Sequence, residues 1–243
     1  MILLIDAGNT RIKWRVVTTS APLDAVAEGA LAHAEAGALV DVRARHPELQ
    51  RAFGCNVAGV AMAARIDEIC AGLQLEWLRS SAHCAGVRNL YENPSQLGAD
   101  RWAALIGART LHPHACVVVM AGTATTVDLL SGAGDFLGGL ILPGVALMQQ
   151  ALAGGTAQLP LAAGRYVPQP RRTEDAIHSG CLQAQAGAIE RMFRQLADQP
   201  GALCLLGGGA ADSFAGLLEI PIRRVENLAL SGLGTIAGQT AAR

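Results

Sequence analysis

The chain has 243 residues, of which 51% are hydrophobic, and its 19 lysines and arginines nearly balance 20 aspartates and glutamates, which leaves a formal net charge of −1. This composition excludes an intrinsically disordered chain and supplies enough apolar residues for one large core or two smaller ones. Because the charge is almost balanced, no basic face is indicated, and nucleic acid is not an expected partner.

The six cysteines form no CxxC pair and lie mostly among apolar residues, as in Ala115-Cys116-Val117. This pattern is typical of buried, reduced thiols in a cytoplasmic protein. The apolar stretch 1–5 is too short for a signal peptide, and the stretch 136–148 contains Pro143 and is shorter than a membrane span. We therefore expect a cytoplasmic location and no membrane partner.

The first 17 residues predict a β-hairpin with a short turn. Apolar residues lead into Asp6, a turn follows, and hydrophobic residues then alternate with Lys13 and Arg15. Gly8 permits a positive φ and a close approach of an anion to the backbone, and the Asp6 carboxylate suits Mg²⁺ or its waters. The same pattern also describes an ordinary hairpin, so a structural turn and a phosphate-binding turn are both open.

Strand and helix patterns alternate in the rest of the first half. The expected elements are a strand at 26–31, a helix at 33–46, a strand at 52–55, a helix at 60–73 and a strand at 75–78. Residues 80–94 show no periodicity and predict a long connection of the kind that often carries function. Ser95 predicts the N-cap of the helix that follows.

The second half begins as the first one does. A strand, the turn Gly122-Thr123 and a second strand repeat the first hairpin over 117–130, and Gly122 follows Gly8 by close to half the chain. This repeat indicates a duplicated α/β domain with a nucleotide between the halves. The composition shift at 112–114 predicts domains at 1–114 and 115–243.

The later elements continue the α/β pattern. We expect a strand at 135–142, a helix from Pro143-Gly144 to about 153, a helix from Thr173 to about 197, a strand at 202–206 and a last helix at 226–241. The Gly207-Gly208-Gly209 loop is either a simple turn into another helix or a place where a nucleotide's base or ribose lies close to the backbone.

Asp100 is the strongest single candidate for a catalytic residue. An aspartate next to an arginine is most often a solvated ion pair, and local context alone favours that interpretation. Here, however, Asp100 stands at a helix start beside a long loop, in a chain with two hairpins of phosphate-binding type. An aspartate that accepts a hydroxyl proton is the recurrent solution in phosphoryl transfer to an alcohol, and Arg101 is suited to orienting an anionic substrate group.

Competing nucleotide and metal motifs are absent from the sequence. No G-x-x-x-x-G-K-[ST] motif occurs, which excludes a P-loop enzyme. Gly232-x-Gly234 follows no strand pattern, which argues against a dinucleotide-binding fold. His112 and His114 flank Pro113 without a third ligand at zinc spacing, so they predict a surface turn.

Seven short motifs are spread along the chain, and their order and spacing are specific together although each is weak alone. They are Asp6-x-Gly8-Asn9-Thr10, Tyr91-x-Asn93-Pro94, Gly98-Ala99-Asp100-Arg101, Gly122-Thr123-Ala124-x-Thr126, Gly138-Gly139-x-Ile141-x-Pro143-Gly144, Thr173-x-x-Ala176-Ile177-x-x-Gly180 and Gly207-Gly208-Gly209. This set resembles the type III pantothenate kinases of the acetate and sugar kinase, Hsp70 and actin superfamily.

The resemblance implies two duplicated ribonuclease H-like (actin-like ATPase) domains with a nucleotide cleft between them. It implies ATP-dependent phosphorylation of pantothenate to 4′-phosphopantothenate, the first step of coenzyme A biosynthesis, with Asp100 as the base and Asp6 near Mg²⁺ or another divalent cation. The implied ATP-binding residues are Asp6, Ala7, Gly8, Asn9, Thr10, Arg11, Ile12, Lys13 and Thr123. The implied pantothenate-binding residues are Tyr91, Gly98, Ala99, Asp100, Arg101 and Thr173. Family members are homodimers whose partner chain helps close the pantothenate pocket, which would account for the long helix from Thr173.

One position departs from the family pattern. The second hairpin of the family usually carries an aspartate that binds a monovalent cation, K⁺ or NH₄⁺, where this chain has Met120. A thioether is a poor ligand for a hard cation. We therefore expect a weakened or absent potassium requirement, or cation ligands drawn from elsewhere.

Two further functions stay open at the level of sequence. One is a non-catalytic regulatory or accessory protein, which would keep the fold without turnover. It stays open because the cation-binding aspartate of the family is missing. Another small-molecule kinase of the same superfamily would differ only in its acceptor. The presence of Asp6, Asp100 and Arg101 favours an enzyme.

Overall fold

The computed structural model describes residues 1–156, 159, 161 and 163–241. The strands are β1 Ile2–Ala7, β2 Arg11–Val17, β3 Ala25–Ala32, β4 Arg51–Asn56, β5 Gln74–Trp77, β6 His83–Cys84, β7 Val87–Asn89, β8 Cys116–Ala121, β9 Ala124–Leu130, β10 Asp135–Pro143, β11 Leu203–Gly207 and β12 Ile222–Arg224. The α-helices are α1 Leu39–Arg45, α2 Val60–Ile69, α3 Ala99–Leu111, α4 Val145–Gly155, α5 Thr173–Phe193 and α6 Leu228–Ala241.

The chain forms two compact units. The first contains Met1–Pro113, Gly134–Phe136 and Asn227–Arg243, and the second contains His114–Ala133 and Leu137–Glu226. The last helix belongs to the first unit because α6 packs on α3. Compact units and duplicated domains are different divisions of a chain, and the domain boundary predicted at residue 114 stays a prediction.

The first unit is built on a five-stranded sheet in the order β3-β2-β1-β4-β5. β1 pairs antiparallel with β2 and parallel with β4, which itself pairs parallel with β5. The central strand β1 reads Ile-Leu-Leu-Ile, and all four side chains are buried because the sheet is covered on both faces. In the same unit, Asp135 and Phe136 at the start of β10 pair parallel with β7.

The second unit repeats this arrangement. Its strands lie in the order β10-β9-β8-β11-β12, with β8 antiparallel to β9 and parallel to β11, and β11 parallel to β12. The central strand β8 has the same burial pattern as β1, and β9 has the same pattern as β2. This repetition confirms the duplicated α/β fold that the two hairpins predicted.

Most of the predicted elements are present, and the differences have local causes. Ser95 does not cap α3, because it lies in a 3₁₀ helix, Pro94–Gln96, where the Asn93 side chain accepts a hydrogen bond from the Ser95 amide. The N-cap of α3 is Gly98. The helix expected from residue 33 begins as a 3₁₀ helix, His33–Ala38.

The C-terminal region contains two further differences. Two short 3₁₀ helices, Ala211–Ser213 and Ala215–Leu217, occur where an α-helix was expected after the Gly207-Gly208-Gly209 loop. The short strand β12 was not predicted, because all three of its residues are exposed and no alternation marks it.

The cysteine side chains lie mostly in the protein interior. Within the described residues the six cysteines form no disulfide, and those at positions 55, 70, 116, 181 and 204 are buried. Among the described residues, no helix combines the length and apolar character that crossing a bilayer requires.

Candidate active site

The first hairpin presents a tight turn at the end of β1. The Gly8 amide donates a hydrogen bond to the Arg11 carbonyl over 3.1 Å, and the His33 Nε2 atom lies 2.8 Å from the Gly8 carbonyl oxygen. Gly8 does not adopt the positive φ considered for it. A Cβ atom there would meet only the Arg11 carbonyl at an ordinary 3.4 Å, so the space that glycine leaves suits a ligand.

Asp6 is half-buried at the end of β1, between Lys13 of β2 and Cys55 of β4, which are its partners in the sheet register. Burial raises the pKa of Asp6, and the negative charge of Asp100 raises it further. The hydrogen bond from Cys55 and the positive charge of Lys13 act in the opposite direction on this pKa. The charge of Asp100 at the start of α3 therefore acts on Asp6 at the end of β1. The grouping of the two residues in one catalytic site stays a prediction.

Asp100 is held in one orientation at the start of α3. Its Oδ1 atom accepts a hydrogen bond from the Arg101 amide over 2.8 Å. A Cβ atom on Gly98 would lie 2.7 Å from that Oδ1 atom. The carboxylate therefore occupies space that only a glycine at the N-cap leaves open.

Arg101 is buried, whereas local context favoured a solvated pair with Asp100. Its side chain is buried, and its guanidinium donates a 2.9 Å hydrogen bond to the Tyr91 hydroxyl. The guanidinium carbon lies 5.7 Å from the centre of the Tyr91 ring and 5.8 Å from that of Phe136. These distances allow cation–π attraction on both rings, so the structure brings Tyr91 and Arg101 together.

Two residues beside Tyr91 and Arg101 were not identified from the sequence. Phe136 enters through the pairing of β10 with β7, and its ring centre lies 5.2 Å from that of Tyr91. Asn89 is buried and orders the loop before Asp100, because it accepts a 3.1 Å hydrogen bond from the Tyr91 amide and donates one to the Pro94 carbonyl. In the sequence, only its location in a segment without periodicity could have indicated a role for Asn89 near the site.

The second hairpin repeats the turn but not the carboxylate. The Gly122 amide donates to the Ala124 carbonyl over 3.0 Å, and Thr123 is exposed in the turn. Met120 takes the place that Asp6 has in the first hairpin, and its register partners are Thr126 and Gly207. The Thr126 hydroxyl is buried and has no hydrogen-bond partner among the described residues.

The region before α5 is ordered by side chains of that helix. Asp175 and Ser179, both buried, accept hydrogen bonds of 3.0 and 2.9 Å from the amides of Arg165 and Val167. Thr173 is the exposed first residue of the helix. Because Thr123 and Thr173 belong to the second unit, their grouping with the residues of the first unit stays a prediction.

The donor set around Asp6 fits a hydrated divalent cation. Mg²⁺ in phosphoryl-transfer sites is bound by one or two carboxylates, together with substrate phosphates and water. Asp6 and Asp100 are two carboxylates close enough for the charge of one to raise the pKa of the other, and a cation beside them would relieve this repulsion. Among the described residues, no group of three or more acidic, histidine or cysteine side chains forms a metal cage.

The duplicated sheets and their hairpins have the fold shared by actin-like ATPases and sugar kinases. The family model described as type III pantothenate kinase matches residues 2–195. The chain belongs to this family.

Curated relatives agree with this assignment over the full chain. A type III pantothenate kinase of Aromatoleum aromaticum is 62% identical over 244 residues, with 100% of both chains covered. Another, of Dechloromonas aromatica, is 49% identical and covers 98% of this chain and 99% of the relative.

Among solved structures, the activator of the 2-hydroxyisocaproyl-CoA dehydratase from Clostridium difficile with bound ADPNP has a TM-score of 0.57 at 11% identity and covers 98% of this chain and 93% of that one. At such low identity, the likeness shows the fold alone.

Proposed function

We propose that the protein transfers the γ-phosphoryl group of ATP to pantothenate, with Asp100 as the base that accepts the hydroxyl proton. The main support for this proposal is the environment of Asp100. Its charge acts on Asp6 of the first hairpin. Its carboxylate accepts a hydrogen bond from the Arg101 amide and occupies the space that Gly98 leaves open. The hydroxyl oxygen of pantothenate attacks the γ-phosphorus, ADP leaves, and the proton passes to Asp100. The product is 4′-phosphopantothenate.

The phosphates of ATP are held by residues 6–13 of the first hairpin and by Thr123 of the second. The turn at Gly8 leaves room for an anion, Asn9, Thr10 and Arg11 are exposed around it, and Lys13 adds a positive charge beside Asp6. Asp6 holds Mg²⁺ directly or through water. When bound, Mg²⁺ neutralises charge on the phosphate oxygens during transfer.

Pantothenate is bound by Tyr91, by residues 98–101 and by Thr173. Arg101 suits the carboxylate of pantothenate, because it is a buried cation fixed by the Tyr91 hydroxyl and two aromatic rings. A fixed guanidinium loses little conformational entropy when it binds a planar anion.

An Asp100→Asn variant tests the role of the base. It keeps the size of the side chain and its amide contact but cannot accept the proton, so turnover should fall by about 100-fold or more while ATP binding is retained. A coupled ADP-release assay with pantothenate as the only acceptor measures the first quantity, and calorimetric titration with ATP measures the second. Asp41→Asn, an exposed carboxylate on α1, is the matched control. Near-normal turnover of Asp100→Asn would remove Asp100 from this role.

The monovalent cation requirement is weak or absent, or its ligands come from residues other than Met120. The methionine sulfur is a poor ligand for K⁺, and a Cβ atom on Gly207 would lie 3.2 Å from it, so the thioether fills the space beside β11. Turnover compared in potassium, ammonium and choline buffers tests the proposal. Strict dependence on potassium or ammonium would contradict a lost requirement.

The protein acts as a homodimer in the cytoplasm, and the second copy covers an apolar surface on the second unit. This α4–α5 surface includes a cavity of about 410 Å³ lined by residues such as Pro143, Met148, Leu152, Ile177, Gly180 and Cys181. Ile141 and Leu147 are exposed nearby in the chain. A cavity with apolar lining beside exposed apolar side chains suits a protein–protein contact.

Sedimentation velocity of Leu147→Glu tests the α4–α5 surface. The introduced charge should shift the protein towards monomer, because an unpaired charge in an apolar interface is costly. Val40→Glu, an exposed apolar residue on α1, is the matched control and should leave the sedimentation coefficient unchanged. A dimer unaffected by Leu147→Glu would place the interface elsewhere.

The two domains of the duplicated fold are residues 1–114 and 115–243. The support for this division is the equivalence of the two hairpins, since β1, β2 and β4 are paired as β8, β9 and β11 are. On this division, α6 extends from the C-terminal domain and packs on α3 of the N-terminal domain.

A further inference from the structure

Cys55 is a buried thiol directly beside the proposed magnesium ligand. It lies on β4 opposite Asp6 in the parallel register, it is 0% exposed, and its Sγ atom is 3.4 Å from the Asp6 Oδ1 atom. A carboxylate has no hydrogen to give, so the thiol donates in this contact. In the sequence, Cys55 stood out in no way from the other five cysteines.

The second half of the molecule supplies an internal comparison. In β11, Gly207 occupies the register position opposite Met120 that Cys55 occupies opposite Asp6 in β4. The thiol is therefore present where the hairpin carries a carboxylate and absent where it carries a thioether. General packing of the sheet does not require a cysteine at this position, since the equivalent strand has a glycine.

We propose that Cys55 is a positioning residue for the kinase, which fixes the Asp6 carboxylate through Oδ1 so that Oδ2 is directed to Mg²⁺ or its waters. The inference rests on the proposed role of Asp6. Groups that hold a metal ligand from behind determine its orientation, and their removal commonly weakens metal affinity. Cys55 itself touches neither nucleotide nor metal in this arrangement.

Calorimetric binding of ADP with and without Mg²⁺ separates this role from simple packing. Cys55→Val keeps an apolar side chain of similar size but has no donor, so it should weaken Mg²⁺-dependent ADP binding by about 10-fold, with metal-free ADP binding unchanged. Cys55→Ser keeps a donor and should recover most of the loss. Cys70→Ala removes another fully buried thiol of the first unit and should change neither quantity.

Several results would overturn the inference. These are Mg²⁺-dependent binding of Cys55→Val equal to that of the wild type, or equal losses in Cys55→Val and Cys55→Ser. If Cys55→Val does not fold, Cys55→Ala replaces it in the same comparison. Infrared spectroscopy of the wild-type protein gives a second test. The S–H band of Cys55 is identified as the band that Cys55→Ser removes. This band should shift when Mg²⁺ is added to the ADP complex, because a metal-bound carboxylate is a weaker hydrogen-bond acceptor. An unshifted band also contradicts the inference.

Asp6→Asn distinguishes a failure of this inference from a failure of the proposed site. If Asp6→Asn leaves Mg²⁺-dependent ADP binding unchanged, Asp6 is not the magnesium ligand and the proposed site itself is wrong. If Asp6→Asn weakens this binding but Cys55→Val does not, the site stands and only the positioning role of Cys55 falls.

Discussion

At the residue scale, a single glycine determines where the proposed base lies. Gly98 has φ −55° and ψ 135°, values that alanine also adopts, so its backbone does not require a glycine. The Asp100 Oδ1 atom instead occupies the position next to the missing Cβ, at 2.7 Å. The glycine is therefore needed for the position of the Asp100 carboxylate and not for the conformation of the backbone.

Gly98→Ala should displace the Asp100 carboxylate while the protein stays folded. The cost in unfolding free energy should be about 1 kcal/mol, because the tip of the Asp100 side chain can move aside but alanine is a poorer N-cap than glycine. Turnover should fall by about 10- to 100-fold, since a small misplacement of a reacting group is sufficient for such a loss. Steady-state kinetics and thermal unfolding measure the two effects.

The control for this prediction is Gly37→Ala. A Cβ atom on Gly37 meets no heavy atom within 4 Å, so turnover should stay at the wild-type level. Unchanged turnover of Gly98→Ala would show that the Asp100 position beside the glycine is not needed for transfer.

The role proposed for Asp6 is in conflict with the stability of the folded protein. Because burial raises its pKa in the folded state, the folded protein binds the proton more tightly than the unfolded chain, whose aspartate has its ordinary value of 3.8. Between these two pKa values the folded state holds more protons, so this group lowers stability as pH rises through the window and lowers it fully above the folded pKa.

Asp6→Asn should therefore be more stable than the wild type at neutral pH but inactive. The amide removes the cost of a desolvated charge, and the gain should shrink as pH falls towards the ordinary aspartate range. Urea unfolding of both proteins at about pH 4.5 and about pH 8 measures the difference. A variant less stable than the wild type at the higher pH would contradict the burial argument.

At the element scale, the contact between α3 and α6 depends on small residues. A Cβ atom on Gly232 of α6 would overlap the Ala103 carbonyl of α3, and one on Gly107 of α3 would overlap the Leu228 carbonyl of α6. Both clashes are with backbone, which cannot move aside as a side chain can. The close packing of α6 on α3 stabilises α3, which carries Asp100 in its first turn.

Gly232→Ala should lower the unfolding free energy by about 1–3 kcal/mol, because the two helices have to separate to admit the methyl group. Denaturant unfolding measures the loss. Gly187→Ala on α5 is the matched control, since a Cβ atom there meets nothing within 4 Å; it should stabilise the helix by about 0.5–1 kcal/mol. Equal effects of the two substitutions would contradict the packing argument.

At the scale of the whole molecule, the duplicated halves have diverged at matching positions. Asp6, Lys13 and Cys55 in the first sheet correspond by register to Met120, Thr126 and Gly207 in the second. The first group includes the Asp6 carboxylate, which suits a cation, whereas the second group has no charged side chain. Divergence of this kind lets one fold carry a metal site in only one half.

Met120→Asp should restore a cation site at a cost in stability. The new carboxylate would face Thr126 instead of a lysine, so in choline buffer the unfolding free energy should fall by about 1–3 kcal/mol. Potassium should recover part of this loss in the variant and have no such effect on the wild type. Thermal unfolding in the two buffers measures it, and equal stabilisation of both proteins by potassium would contradict the weakened requirement.

The amount that could be predicted from the sequence differs between the parts of the site. The hairpins and the Gly98 to Arg101 segment could be predicted because they are contiguous. The helix cap at Ser95 was wrong, because Asn93 captures the Ser95 amide in a local turn that competes with the helix. Phe136 could not be assigned to the site, since its contact with Tyr91 depends on β10 pairing with β7. Asn89 contacts near neighbours in the chain, but no periodicity in its segment indicates those contacts.

By itself, the sequence determined the repeat, the strand order within each hairpin and the kinase family, because turns, alternation and motif spacing are properties of neighbouring residues. Only the tertiary structure decided that Cys55 donates to Asp6, that α6 returns to pack on α3, and that Arg101 is enclosed by two aromatic rings. These contacts join residues far apart in the chain, and their choice depends on which surfaces bury the most apolar area together.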